Sequence, residues 1–252
     1  MKSNNSNTPI DLSKLSTRAP ECLDKSETKA KLDEILQELD ELQNLMYAER
    51  KHSLLVILQG MDASGKDGLI KDVFSAMNPQ GVQVQSFKIP TQAELDHDFL
   101  WRIHMHAPAK GMVQVFNRSH YEDVLVTRVH GIIDDEEAAS RMESINDFEK
   151  HLTANNTHIL KFYLHVSEKE QLERIAERKT VPRKMWKYNA NDIKEVGLRE
   201  KYAKYYEEIF TCCNHVPWYI LPADQNWYKA YLMSSIIRDT LKALDMKYPS
   251  KG

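Results

Sequence analysis

Three cysteines in 252 residues are too few and too poorly spaced to make a framework: Cys212 and Cys213 are neighbours, Cys22 is remote, and no C-x-x-C pair exists. That excludes a disulfide frame and fits a reducing compartment. Long apolar runs are missing too. No 18-residue apolar stretch occurs, and the opening MKSNNSNTPIDLSKL has no apolar core of signal-peptide length, so neither a membrane span nor a leader is expected. Nor does one sign of charge dominate. With 34 basic against 37 acidic residues and a net charge of -3, any grip on a polyanion must come from local clusters, and general nucleic-acid binding is not suggested. Internal repeats and low-complexity tracts are also absent. What remains is a soluble chain, expected to be cytoplasmic, whose length suits one generous domain and whose 42% hydrophobic content is enough for a core.

The stretch that organises the rest is LLVILQGMDASGKDGLIKDV, Leu54 to Val73. An apolar run ends in a glycine-punctuated turn and resumes with Leu69, Ile70 and Val73 at helical spacing, which predicts buried strand, tight loop and helix. Gly60 and Gly65 bracket four residues and Lys66 follows, the G-x-x-x-x-G-K spacing of a phosphate-binding loop. Glycines let successive backbone N–H groups of Ala63, Ser64, Gly65 and Gly68 turn toward an anion, and the helix N-terminus adds its dipole. Lys66 is expected as a solvent-facing point charge for terminal phosphates. Where this motif ordinarily has a hydroxyl for magnesium, the chain has Asp67, with a second carboxylate, Asp62, inside the loop. Asp67 reads equally as a favourable charge in a first helical turn.

The remaining pattern alternates strand and helix. A polar arm, residues 1–22, expected to be flexible or to wrap the surface, precedes a long amphipathic helix over 25–50, whose Leu32, Ile35, Leu36, Leu39, Leu42, Leu45 and Met46 stripe favours packing on its own domain over a subunit contact. Strands are expected at Val82 to Phe87, Met112 to Phe116, His158 to Val166 and Trp218 to Leu221. Helices are expected over 91–106, 134–152, from Ser167, over 192–212 and over 225–246. This makes an α/β fold, a three-layer sandwich with a parallel sheet of about five strands and helices on both faces. The polar cluster Asn117 to Asp123 falls at the carboxyl end of a strand, where such sheets bind ligands. The segment 178–191 breaks the pattern at Pro182 and concentrates Lys179, Arg183, Lys184 and Lys187, which suits a basic lid over phosphates.

The strings GMDASGKDG, FKIPTQAELDHDFLWRIH, PAKGMVQVFNRSHYEDVLVTRVH and ERKTVPRKMWKYNANDIKEV, in order and in register over nearly all of the chain after residue 50, resemble the polyphosphate kinase 2 family. The form FNRSHYED resembles the group acting on both nucleoside mono- and diphosphates. The resemblance implies a P-loop kinase fold in one domain, residues 23–252, with a helical basic lid at about 174–191. It also implies reversible transfer of a terminal phosphoryl group between inorganic polyphosphate and nucleoside mono-, di- and triphosphates. Mg²⁺ is the implied cofactor, with Mn²⁺ as a substitute, and a homo-oligomer, dimer or tetramer, the implied assembly.

Carried over by position, Lys66 and the loop amides hold phosphates, Asp62 and Asp123 are the metal-linked acids, and Arg118 and Arg128 line the phosphate path. Arg174, Arg178, Arg183 and Lys187 belong to the lid. Asn117 stands where other branches of the family carry an acid, which leaves open whether Asn117 or Glu122 with Asp123 completes the metal site. His104 and His106 lack a third zinc ligand. His120 reads as a hydrogen-bonding group ahead of a phosphorylated nucleophile. Trp101, Trp186 and Tyr188 could stack a base, with core packing favoured for Trp101. Two rival functions share parts of this pattern: an ATP-dependent nucleoside monophosphate kinase, and a non-catalytic P-loop switch or scaffold, against which no N-K-x-D guanine-reading motif is found.

Overall fold

Strand β1, Ser53–Gln59, is buried at every position, as SLLVILQ requires of a strand covered on both faces. In the computed structural model, which describes residues 10–249, it is the centre of a five-stranded parallel sheet in the order β2-β3-β1-β4-β5. The other strands are β2 (Val82–Ser86), β3 (Val113–Asn117), β4 (Thr157–His165) and β5 (Trp218–Pro222). The helices, in chain order, are α1 (Lys25–Glu49), α2 (Lys66–Phe74), α3 (Gln92–Leu95), α4 (Trp101–His104), α5 (Glu122–Val129) and α6 (Asp135–Ala154). They continue with α7 (Glu168–Thr180), α8 (Pro182–Met185), α9 (Asn191–Val196), α10 (Arg199–Cys212) and α11 (Asn226–Lys242).

Strand order reverses beside β1, between β3 and β4, so the crevice at its carboxyl end is the expected ligand position. Register makes this concrete. Leu58 pairs with Asn117 and Gln59 with Tyr163, which brings Gly60 level with the polar end of β3. The Arg118 N–H closes the junction by donating to the Leu58 carbonyl at 3.0 Å.

Two apolar layers sandwich the sheet. One joins α1, α2 and α11 through Leu39, Met46, Leu69, Val73, Met233 and Ile237. The α1 stripe therefore packs on its own domain. The other joins α5, α6 and α10 through Val124, Leu125, Ile145, Phe148, Ile209 and Phe210. That layer also contains a fully buried ion pair, Lys161 with Glu149 at 2.7 Å, completed by the Tyr121 hydroxyl and the Cys213 carbonyl. A buried pair of this kind needs its extra hydrogen bonds to offset desolvation.

Three expected helices change in detail, and the expected arm is described in part. The helix expected over 91–106 is two short ones, because the Asp98 carboxylate accepts from Leu100 N–H at 3.0 Å and turns the chain between α3 and α4. The helix expected over 192–212 is interrupted at Gly197–Leu198, and the last helix ends at Lys242. The arm expected over 1–22 falls partly on residues 1–9, outside the described residues. Its remainder wraps the sheet's carboxyl edge: Leu12 is buried, and the Thr17 carbonyl accepts from Asp224 N–H at 3.0 Å.

Candidate active site

The loop after β1 is shaped by backbone that few residues adopt. Gly65 has φ +95°, Ala63 +59° and, at the end of β3, Arg118 +63°. Helix α2 then starts with no side chain capping its N-terminus, which leaves the first-turn N–H groups for a ligand. Lys66 is not solvent-facing. It is 8% exposed and folds over the loop, donating to the carbonyls of Gly60 at 2.7 Å and Met61 at 3.3 Å. Burial, helped by Arg118, pushes its ammonium down to about 8, against the pull of Asp62, Glu122 and Asp67. The lysine is held in the loop as a preset charge.

Two further cations grip the loop from behind. Arg174 donates to the carbonyls of Ala63 at 3.2 Å and Ser64 at 2.7 Å with one nitrogen, and to those of Ala223 at 2.8 Å and Asp224 at 3.1 Å with another. This fastens the loop to the end of β5, so Arg174 is part of the loop's support and not of the lid. The second cation was missed from sequence. Lys229, on α11 and 1% exposed, donates to the Ser64 carbonyl at 3.1 Å and occupies the space that a Cβ on Gly65 would need. Burial first, then Arg174, pushes it down to about 7. The signal was a lysine on a buried stripe with Met233 and Ile237. Together they hold loop carbonyls outward, which favours N–H groups facing the anion.

Across the crevice, Arg118 ion-pairs with both Asp62 and Glu122, the latter at 2.8 Å. Burial alone would raise the Asp62 carboxyl, but Arg118, Lys66 and Arg178 outweigh it and hold the group below its ordinary value. Glu122, with burial opposing, raises the Arg118 guanidinium further still. These three side chains line a cavity of about 30 Å³ that Gln171, Glu195 and Tyr206 complete. Asn117 donates to Asp67 at 2.9 Å, and Lys187 also pairs with Asp67, so the basic segment already touches the start of α2.

Two expected site residues lie elsewhere. Asp123, one helical step from Glu122, turns away from the crevice to a buried pair with Arg102 at 3.3 Å. Burial raises its carboxyl despite that arginine. It does not share a cavity with Asp62; Glu122 does. Arg128 is held between Asp135 at 2.7 Å and Glu208 at 3.0 Å and stacks on Tyr205, so its charge is spent within the fold and not on a phosphate path. In the basic segment 178–191, Arg178 pairs with Asp192 at 2.6 Å and Lys184 with Glu177, while Arg183 is exposed and has no ion pair among the described residues.

Trp186 is 78% exposed beside Lys187, Tyr188 lies under Lys179, and half-buried Trp101 stacks on His97. His120 is fully buried, 3.7 Å from Glu149, with neither ring nitrogen hydrogen-bonded. No cluster of three or more His, Cys, Asp or Glu side chains poised for a metal occurs among the described residues. Of the three carboxylates that line this cavity, Glu195 accepts from the Tyr202 hydroxyl at 2.7 Å, and the other two, Asp62 and Glu122, do fit an ion that keeps most of its waters and takes one or two protein oxygens plus substrate phosphates, as magnesium does.

A profile of the family described as Polyphosphate kinase 2 (PPK2) matches residues 22–251. The chain belongs to the polyphosphate kinase 2 family. An AMP/ADP-polyphosphate phosphotransferase of Meiothermus ruber is 46% identical over 213 residues, covering 84% of this chain and 80% of that protein. An ADP-polyphosphate phosphotransferase of Rhodopseudomonas palustris is 43% identical over 228 residues, covering 85% and 79%. The crystal structure of polyphosphate kinase 2 from Arthrobacter aurescens TC1 superposes with a TM-score of 0.93 at 37% identity, covering 100% of this chain and 94% of that one. The P-loop kinase-like fold and a phosphotransferase activity follow from membership of this family.

Proposed function

We propose that this member of the polyphosphate kinase 2 family moves the terminal phosphoryl group of inorganic polyphosphate to ADP and GDP, and to AMP and GMP, and runs the reaction in reverse. The observation that carries the reading is a preset phosphate loop facing a second cation, Arg118, across a crevice bordered by Asp62 and Glu122. Phosphoryl transfer asks for little covalent chemistry from the protein; it rewards in-line placement and neutralisation of spread negative charge. Lys66 and the α2 N-terminus supply that on the loop side and Arg118 on the other. Asp62 and Glu122 would hold the magnesium ion, which when bound neutralises phosphate charge. Arg118, now paired with both carboxylates, would turn to phosphate oxygens of the substrate.

The basic segment 178–191, already bridged to the loop through Lys187 and Asp67, would close over the substrates and exclude water. The resemblance of FNRSHYED supports the breadth toward monophosphates, and the relative of Meiothermus ruber is named for both AMP and ADP. Purified protein given AMP, ADP, GMP or GDP with magnesium and polyphosphate as the sole donor should form the next higher nucleotide from each. Formation of product only when ATP is the donor would return the chain to the nucleoside monophosphate kinase reading.

A further inference from the structure

Gln59 ends β1, one residue before Gly60, and is fully buried. A buried amide is costly unless its donors and its acceptor are met, so the groups around it carry information. Those neighbours fix which way it faces. The Ser119 backbone N–H, at 3.1 Å, can only donate, and the ionised Glu122 carboxylate, at 2.9 Å, can only accept, so the amide oxygen faces Ser119 and the nitrogen faces Glu122. In this orientation the oxygen accepts from the Ser119 N–H and from its hydroxyl at 3.0 Å, and the nitrogen donates to Glu122 Oε1 and to the Tyr206 hydroxyl at 3.2 Å. The Ser119 hydroxyl also accepts from Tyr121 N–H at 3.2 Å, which joins the amide to the turn that opens α5.

The two oxygens of Glu122 are thus divided. Oε2 accepts from Arg118 at 2.8 Å and Oε1 from Gln59. Asp62 is held in another way. Its side chain is short and its backbone is fastened: the Asp62 carbonyl accepts from Gln171 at 2.9 Å, and Arg199 donates to the oxygen of that amide at 2.6 Å. Glu122 reaches the cavity on a longer side chain with more rotamer freedom to lose, so a tether at its head is what keeps the carboxylate in place. Arg118 cannot be that tether once it turns to substrate. Gln59 can, because it is buried behind the crevice and is not among the residues that line the cavity.

We propose that Gln59 is a positioning residue for the magnesium-side carboxylate: its amide holds Glu122 Oε1 and leaves Oε2, released by Arg118, to the ion. This rests on the proposed role of Glu122 as a ligand to magnesium. The test compares wild type with Gln59→Met, Ser119→Ala and Glu122→Gln. Two quantities are read: the magnesium concentration for half-maximal ATP formation from ADP and polyphosphate, and the affinity of the protein without nucleotide for Mn²⁺, from the paramagnetic resonance signal of the free ion. Gln59→Met should weaken both by about tenfold while the KM for ADP stays within about twofold, the lower end of what losing an outer partner of a metal ligand costs. Ser119→Ala takes a hydrogen bond from the same amide but leaves the donation to Glu122, so both metal readings should stay within about twofold even where the urea midpoint falls. Should Gln59→Met fail to fold, Gln59→Glu keeps an acceptor for Ser119 and sets a carboxylate against Glu122, and it should shift both readings in the same direction. Unchanged metal readings in the folded Gln59 variant, or equal shifts in that variant and Ser119→Ala, would overturn the positioning role. Glu122→Gln separates the two readings. If it weakens the metal readings and the Gln59 variant does not, only the tether falls; if it leaves them unchanged, the metal role of Glu122 falls and the tether with it. Should wild type make no ATP, the Mn²⁺ affinities still decide the tether.

Discussion

The phosphate loop and the basic segment 178–191 are both rich in positive charge, yet they hold it in opposite ways. Around the loop, Lys66, Arg174 and Lys229 are spent on backbone carbonyls at 2.7–3.3 Å, and both lysines are buried. In the basic segment, Arg183 is exposed, Lys184 and Lys187 lie in surface ion pairs, and the long helix α7 gives way at Pro182 to the single turn of α8. Charges fixed to backbone need no reorganisation when an anion arrives, whereas charges on long exposed side chains can follow a substrate but must be ordered each time. The first arrangement suits the reacting phosphate and the second suits closure.

The sharpest way to break this contrast is at the loop. Lys66→Met should lower kcat by roughly 10³-fold, the lower end of what losing a transition-state cation costs in related chemistry. Because the lysine is buried and satisfies two carbonyls, the variant should also lose about 1–3 kcal/mol of stability, visible in its urea midpoint. Activity within tenfold of wild type would contradict the preset charge.

Next in size is the support behind the loop. Lys229→Met should cost roughly 10²-fold in kcat/KM, since small misplacements of a reacting group reach that scale. It carries a pH signature as well. The folded-state ammonium sits at about 7 and the unfolded one near 10.5, so between those values the unfolded chain binds the extra proton. Stability contributed by this group therefore rises with pH from about 7 toward 10.5. Wild type should gain urea resistance across that window more steeply than Lys229→Met; parallel profiles would place the lysine outside the buried state described.

A paired comparison follows. Glu122→Gln should raise the magnesium concentration needed for half-maximal rate, through loss of one anionic ligand. Asp123→Asn should leave that requirement alone but destabilise the fold by roughly 3–5 kcal/mol, because it strands buried Arg102. The reverse assignment would restore Asp123 to the metal site. The smallest effect belongs to the surface: Lys187→Ala, which breaks a half-exposed pair, should change KM by less than about fivefold, matching the about 1 kcal/mol ceiling of such pairs.

Much of this was legible in the sequence because it is written in local pattern. The β1 run, the glycine spacing and the alternation of strand and helix fix the sheet and the loop, and five expected strands are the five observed. What was not legible depends on long-range direction. Glu122 and Asp123 are adjacent in the chain, but one helical step of about 100° sends one carboxylate to the crevice and the other to Arg102. Arg128 looked available until Asp135 and Glu208 closed on it. Lys229 lies 163 positions beyond Lys66 on another helix, and only the packing of α11 against the loop gives it a role.

The most direct test of the central claim is ATP formation from ADP, with polyphosphate as the sole phosphoryl donor and magnesium present, in wild type and Lys66→Met side by side. The account predicts steady ATP production by wild type and a loss of roughly 10³-fold in the variant. No ATP from wild type under these conditions, or equal ATP from both proteins, would contradict it.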